Sequence, residues 1–189
     1  MTAIVILGVL LAVFFLWLMS SYNGLVRYKV QAENAWADID VQLKRRHDLV
    51  PNLVETVKGY AGHEKQTLEG VIAARNQAVA AQGPAAKAEA EGVLTGMLRQ
   101  VFALAEAYPQ LRAVESFNDL QKQLSALEET LQNARRYYNA VVRDFNTTIE
   151  QFPSNIVAGM FHFKEREFFE LKDEAERAVP KVSFGTSAS

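Results

Sequence analysis

Hydrophobic side chains recur along this chain in three rhythms: one solid run, a long seven-residue repeat, and shorter amphipathic stripes. The solid run comes first. Residues 1–26 carry no charged side chain, and Ile4 to Leu18 is almost entirely Ile, Val, Leu, Phe and Ala. At about 1.5 Å per residue, 1–19 makes a helix of roughly 28 Å, close to the ~30 Å hydrocarbon core of a bilayer. Trp17 and Tyr22 stand at its C-terminal end, where amphipathic rings favour the interface. The pattern predicts a transmembrane signal-anchor at 1–22, with the lipid bilayer as its first partner. A cleavable signal peptide would need a basic n-region, yet only Thr2 and Ala3 precede the run, and Met19-Ser20-Ser21-Tyr22-Asn23 is a poor cleavage site. Arg27 and Lys29 flank the C-terminal side of the span and no basic side chain flanks the other, which places the body in the cytoplasm.

The seven-residue repeat is clearest from about 116 to 152. Phe117, Leu124, Leu131, Tyr138, Phe145 and Phe152 form one seam, and Leu120, Leu127, Ala134, Val141 and Thr148 form the second. Apolar a and d positions sustained this long predict a coiled-coil-like helix of roughly 55 Å. Ser116 and Asp119 match a capping signature at its start, and Pro153 stops it. A helix of this length needs long partners. One follows the anchor directly: Trp36, Leu43, Val50 and Val57 share one series, and Leu25, Ala32, Ile39, Leu53 and Tyr60 share the other, broken only by Arg46. No Gly-Pro cluster separates the span from this stretch, so one helix can serve both. Pro51 removes the donor that would bond the His47 carbonyl and is expected to bend or end the helix. Gly59 and Gly62 mark a turn.

Two shorter stripes lie between. The first spans about 64–81, carrying Leu68, Val71, Ile72, Arg75 and Ala78 inward or along its edge. Gly83-Pro84 turns the chain into the second, at about 84–107, whose stripe runs through Ala90, Leu94, Met97/Leu98, Val101 and Leu104/Ala105 to Tyr108. After Pro153 comes a short apolar helix or cap at 156–163, then a C-terminal segment with few structural signals. The expected fold is all-α: an N-terminal transmembrane helix (1–22), an antiparallel four-helix bundle with long heptad-patterned helices (23–163), and a partly irregular C-terminal segment (164–189). Composition agrees, since only five prolines and ten glycines punctuate the chain and no run of alternating β-branched residues stands between turn signals. A net charge of −2 argues against nucleic acid as a partner. The absence of cysteine excludes lipoprotein processing, disulfide staples and a thiol nucleophile.

Several blocks in these segments resemble the bacterial LemA family. The most specific runs from Ala35-Trp36-Ala37-Asp38 through Lys44-Arg45-Arg46-His47-Asp48-Leu49-Val50-Pro51-Asn52-Leu53-Val54. Tyr22-Asn23-Gly24-Leu25-Val26, Val57-Lys58-Gly59-Tyr60, His63-Glu64, Glu106-Ala107-Tyr108-Pro109, Tyr138-Asn139 and Phe152-Pro153-Ser154 add to it. Phe145-Asn146 departs mildly from a more usual Tyr-Asn pair and loses one hydroxyl. The similarity covers roughly 22–184. It implies a single-pass N-terminal anchor in the bacterial inner membrane and a helical cytoplasmic bundle. It implies links with membrane proteases and membrane remodelling, but no settled reaction.

Candidate chemistry is sparse. Residues three before His47, His63 and His162 are Lys44, Tyr60 and Gly159, so the Glu-x-x-His pattern of a di-metal bundle is missing. His63-Glu64 is not followed by a second histidine in zinc-protease spacing, and no phosphate-cradling glycine loop occurs. The expectation is no catalytic, metal or cofactor site. The most suggestive polar feature is the cluster Lys44, Arg45, Arg46, His47 and Asp48, with Asn52 beyond it. It reads either as a solvated face with internal salt bridges or as a groove for an acidic partner segment or phosphorylated group. Arg46 falls on the apolar seam, where a buried guanidinium needs a carboxylate, and Asp38, Asp40, Asp48 or Glu55 are near in sequence. Trp36, Tyr60 and Tyr138 at helical spacing read as core, with Tyr137 the most exposed of the aromatics. Asn139 and Asn146, seven apart, suggest a register or inter-subunit device.

These features favour a non-enzymatic membrane-anchored scaffold that presents its helices to protein partners, a membrane protease among them. Alternatives are a phosphate- or small-ligand sensor at the 45–52 kink and a hydrolase with an unrecognised site. Self-association is expected through Gly8 and Ala12, at small-xxx-small spacing in the span, and through Leu25, Ala32 and Ile39, a strip that intrachain helices look too short to cover.

Overall fold

The apolar run and the heptad stretch after it form one helix. In the computed structural model, which describes residues 1–170, α1 runs unbroken from Thr2 to Lys58, 57 residues. That is about 85 Å at 1.5 Å per residue. α2 (Lys65–Ala80), α3 (Pro84–Ala107), the single turn α4 (Pro109–Arg112), α5 (Glu115–Glu150) and α6 (Ser154–Met160) follow, and no strand occurs among the described residues. The most apolar stretch of α1 has no buried side chain, and it is long and apolar enough to cross a membrane.

Pro51 does not end α1. The His47 carbonyl that its missing N–H leaves open accepts a hydrogen bond from Arg75 Nε of α2 at 3.1 Å. A proline in a helix interior ordinarily costs about 3 kcal/mol, part of it the lost backbone bond. A donor brought from a neighbouring helix offsets that part. α1 stops instead at Lys58, where the Tyr60 and Ala61 amides fold back on the Val57 carbonyl at 3.0 and 2.8 Å. Tyr60, expected in the core, is half exposed because it lies beyond the helix end, where the seam no longer directs it.

α5 begins one residue earlier than its capping signature. Val114 holds the N-cap position without a side-chain bond, and Ser116 and Asp119 face solvent on the first turns, so the expected cap does not form. The seams are unequal. Phe117, Leu124, Leu131, Tyr138 and Phe145 are buried, whereas Leu120, Leu127, Ala134 and Thr148 are half-buried and Phe152 lies outside the helix, exposed.

Three clusters follow one another along α1 and α5. Farthest from the apolar segment, Val50, Leu53 and Val57 of α1 meet Leu68 and Val71 of α2, Leu94 and Leu98 of α3, and Phe117 and Leu124 of α5. In the middle, Ala32, Ala35, Ile39 and Leu43 meet Leu131, Tyr138, Val141 and Val142 of α5, with Ala88 and Phe169. Nearest the apolar segment, Leu25 packs with Phe145 and with Val157 and Ala158 of α6.

This order corrects the expected oligomer strip. Leu25, Ala32 and Ile39 are all fully buried within the chain. α5 is long enough to reach them, and α6 and the residues after it fold back over what α5 leaves open. The reversal after α6 is a Schellman closure: Phe163 N–H bonds to the Ala158 carbonyl at 3.0 Å and His162 N–H to Gly159 at 3.3 Å. His162 takes the left-handed position usually held by glycine, with φ of 55°. The chain then runs extended along α5, and Phe169 is buried in the middle cluster, so the packed body continues past residue 163. Within 164–189, only 164–170 lies in the described residues.

Candidate functional site

α1 carries Arg46 on its apolar seam and α3 carries Glu91 on its own. Both are buried. The inward face of α3 runs Ala88, Glu91, Leu94, Leu98, Val101 and Ala105, so Glu91 occupies a core position just as Arg46 does. Where the seams meet, Arg46 Nη1 lies 3.0 Å from Glu91 Oε2 and Arg46 Nη2 donates to Thr95 Oγ1 at 2.8 Å. Thr95 Oγ1 in turn donates a hydrogen bond to the Glu91 backbone carbonyl at 2.9 Å, one turn back. Glu128 of α5 stands 3.1 Å from Arg46 Nη2. The second oxygen of Glu91 lies 2.5 Å from His47 Nε2. A carboxylate can only accept, so that nitrogen carries the proton.

One guanidinium, one imidazole and two carboxylates from three helices thus meet in the core. Arg135, one heptad beyond Glu128, borders the cluster. Its guanidinium lies 4.9 Å from the Phe169 ring centroid. Burial pushes its pKa below the ordinary arginine range, Glu128 and Glu91 oppose that shift, and Arg46 adds to it. Taking ions from water into a core is expensive, and direct pairing offsets that cost for Arg46 and Glu91. Among the described residues, Glu128 Oε2 and the Arg135 Nε and Nη2 are buried without a hydrogen-bond partner.

The sequence cluster 44–52 is therefore divided. Arg46 and His47 turn inward; Lys44, Arg45 and Asn52 are exposed. Lys44 pairs on the surface with Asp48 at 2.7 Å, and its hydrogen bond holds the Asp48 carboxyl below the usual range. The Asn52 carbonyl takes a bond from Thr56 Oγ1 at 2.8 Å. Of the acids weighed as partners for Arg46, none serves: Asp48 is taken by Lys44, and Asp40 pairs with Lys87 of α3 at 2.5 Å. A cleft of about 350 Å³ between α1, α2 and the start of α3 reaches His47 past Asp40, Lys44, Arg75 and Lys87. A second of about 280 Å³ between α3 and α5 reaches Arg46 past Thr95, Phe102 and Glu128. Among the described residues, no three His, Asp or Glu side chains are grouped to hold a metal ion.

Sequence reasoning missed Glu91, Thr95, Glu128 and Arg135. A signal for Glu91 existed: its i, i+3 and i+7 spacing to Leu94 and Leu98 places it on the buried stripe, one residue from the Ala90 with which the stripe was started. Asn139 and Asn146 form a second polar arrangement. Each primary amide pairs both ways with one residue of the extended segment, acting as a detached peptide unit. Asn146 Nδ2 donates to the Arg166 carbonyl and its Oδ1 accepts from the Arg166 N–H, both at 2.9 Å. Asn139 does the same with Phe169 at 3.2 and 2.8 Å. Between them the Tyr138 hydroxyl donates to the Glu167 carbonyl at 2.9 Å, its proton held by burial, which raises the phenol pKa. Arg166 adds an ion pair to Glu33 of α1 at 2.6 Å. Trp36 stacks obliquely on Tyr138 and Phe169, as half-buried core, while Tyr137 is half exposed and accepts a bond from Gln31.

An apolar N-terminal helix long enough to cross a membrane, continuous with an all-helical body that holds a buried ionic centre, marks a membrane-associated helical protein. Residues 35–184 match the LemA family, and the chain belongs to that family. It is similar to the magnetosome protein MamQ 2 of Paramagnetospirillum magneticum, with 24% identity covering 94% of this chain and 75% of the relative. MamQ of Magnetospirillum gryphiswaldense is 23% identical, covering 89% and 72%. Protein LemA of Metamycoplasma hominis is 25% identical, covering 78% and 68%.

Proposed function

We propose that this protein is a non-enzymatic scaffold: 1–22 spans the bacterial cytoplasmic membrane, and an antiparallel four-helix body on the cytoplasmic side serves as a docking platform for membrane proteins. The observation that carries this reading is the state of the buried polar groups. Arg46 and His47, the one part of the 44–52 cluster turned into the body, are committed to Glu91, Glu128 and Thr95. Ions paired across three helices in this way suit a keystone that holds α1, α3 and α5 together. The same pairing argues against the sensor alternative at Arg46, because a phosphate there would have to compete with Glu91 and Glu128. Self-association through Gly8 and Ala12 remains part of the proposal, since both are exposed on the span and a Cβ at Gly8 would meet nothing within 4 Å. The family resemblance implies membrane-embedded partners, a membrane protease among them.

The test is affinity isolation of the full chain from membranes solubilised in mild detergent, with native mass spectrometry of the eluate. A stoichiometric membrane protein, together with homo-oligomer that is lost in Gly8→Leu, supports the scaffold. Monomer alone across several detergents overturns it.

A further inference from the structure

α6 lies beside α1 where the apolar stretch ends. The Tyr22 ring centroid is 4.6 Å from that of Phe161 and 5.9 Å from that of Phe163. Trp17 and Leu18 pack against the cluster that contains Val157 and Ala158. Trp17 to Tyr22 spans about 7.5 Å of helix rise, so α6 and the turn after it sit at the level of the rings assigned to the membrane interface. Val157 and Ala158 face inward. On the outside, Phe152 is 77% exposed, Ile156 51%, Met160 61% and Phe161 48%. Ile156 and Met160 are one turn apart on the same face, and no side chain from Gln151 to Phe161 is charged. Charge resumes at Lys164, Glu165 and Arg166, much as it resumes on α1 at Arg27 and Lys29.

A water-facing helix of this kind would carry charge on its outer face, and a contiguous exposed apolar patch on a soluble surface normally marks a contact. We infer that α6 is a second membrane contact: Ile156, Met160 and Phe161 enter the headgroup and upper acyl region of the bilayer beside the anchor. The occupant follows from continuity, because Tyr22 stacks on Phe161 and so joins this patch to the end of the apolar stretch of α1. Two contacts, α1 through the bilayer and α6 on its surface, would hold the body at a fixed orientation to the membrane where a single helix would let it swing. The inference rests on the reading of 1–22 as a membrane span.

The chain contains no cysteine, so single labelling sites need no background removal. Full-length protein carrying one nitroxide-labelled cysteine at Leu10, Glu129, Ile156 or Met160 is reconstituted into phosphatidylcholine–phosphatidylglycerol vesicles. Accessibility to oxygen, which partitions into lipid, is compared with that to a water-soluble nickel chelate. Labels at Ile156 and Met160 are expected to favour oxygen and to show several-fold lower nickel accessibility than Glu129, with Leu10 more extreme still. Nickel-accessible labels at 156 and 160 beside an oxygen-favouring Leu10 overturn the α6 contact and leave the anchor standing. A nickel-accessible Leu10 overturns the anchor reading and this inference with it. Labels at 156 and 160 shielded from both reagents show a protein partner there, which overturns the lipid assignment.

Discussion

α1 and α5 pass through two halves of the body with the same heptad seam, but different things cover them. In the half far from the apolar segment, α2 and α3 add two more helices with apolar stripes of their own. In the near half, a short helix and an extended segment do the work, and hydrogen bonds fix them. Asn139 and Asn146 are seven residues apart on α5, about 10.5 Å along its axis. Phe169 and Arg166, which they hold, are three apart in an extended chain, about 10 Å. The match lets one helix face read the backbone of an antiparallel extended segment at two points. A heptad seam therefore states that a face is buried; it does not state what buries it.

The ionic centre sits between the halves and gives the largest expected effect. Glu91→Leu leaves Arg46 and His47 buried beside a single carboxylate, and breaking a buried pair in this way costs about 3–5 kcal/mol. The melting temperature of full-length protein in detergent, followed by circular dichroism, should fall sharply. Adding Arg46→Met should recover much of the loss, because both charges then leave the core. A Glu91→Leu protein that melts like the parent would show that the centre holds nothing together.

The near half should respond differently. Asn146→Ala removes two hydrogen bonds to Arg166, each worth about 0.5–1.5 kcal/mol net. Amide exchange at 163–169 should rise strongly while the α2 and α3 amides keep their protection. Asn146→Asp, which accepts but cannot donate through its side chain, should fall between. Equal loosening of both halves would mean that they form one cooperative unit, and the contrast drawn above would fail.

How much of this was legible follows the same division. Helix extents were readable wherever a stripe had a period: α2, α3 and α5 lie within a residue or two of the pattern. Arg46 announced its own burial by standing on a seam, but its partner did not follow from proximity in sequence, because the carboxylate comes from α3, 45 residues away. The continuity of α1 through Pro51 was hidden for the same reason, since the compensating donor is Arg75. The extended segment has no period at all. Without it, Leu25, Ala32 and Ile39 looked like a surface for a second copy, and Asn139 and Asn146 had a spacing but no object.

Arg75 and Pro51 give a smaller test within the far half. Arg75→Ala frees the His47 carbonyl and should cost about 1 kcal/mol, the ordinary worth of a hydrogen bond. In a Pro51→Ala background the helix supplies its own donor to that carbonyl, so the same Arg75→Ala change should cost less. The double-mutant cycle reads the difference directly in melting temperature. Additive effects would mean that Arg75 contributes through packing on α1, and that Pro51 is tolerated for another reason.

The smallest effect belongs to the turn that starts the near-half cover. His162 holds a left-handed conformation that glycine adopts freely and other residues adopt at a cost of roughly 1–2 kcal/mol. His162→Gly relieves that cost but gives the unfolded chain more freedom, which takes back about 0.5–1 kcal/mol. The net gain should be a few tenths of a kcal/mol to about 1, and it should appear locally, as slower exchange of the Phe163 and Arg166 amides. If the segment after α6 were placed mainly by the turn, this gain would rescue Asn146→Ala. If the asparagine clamps place it, as the paired hydrogen bonds argue, the turn and the clamps should act independently and the double variant should show the simple sum.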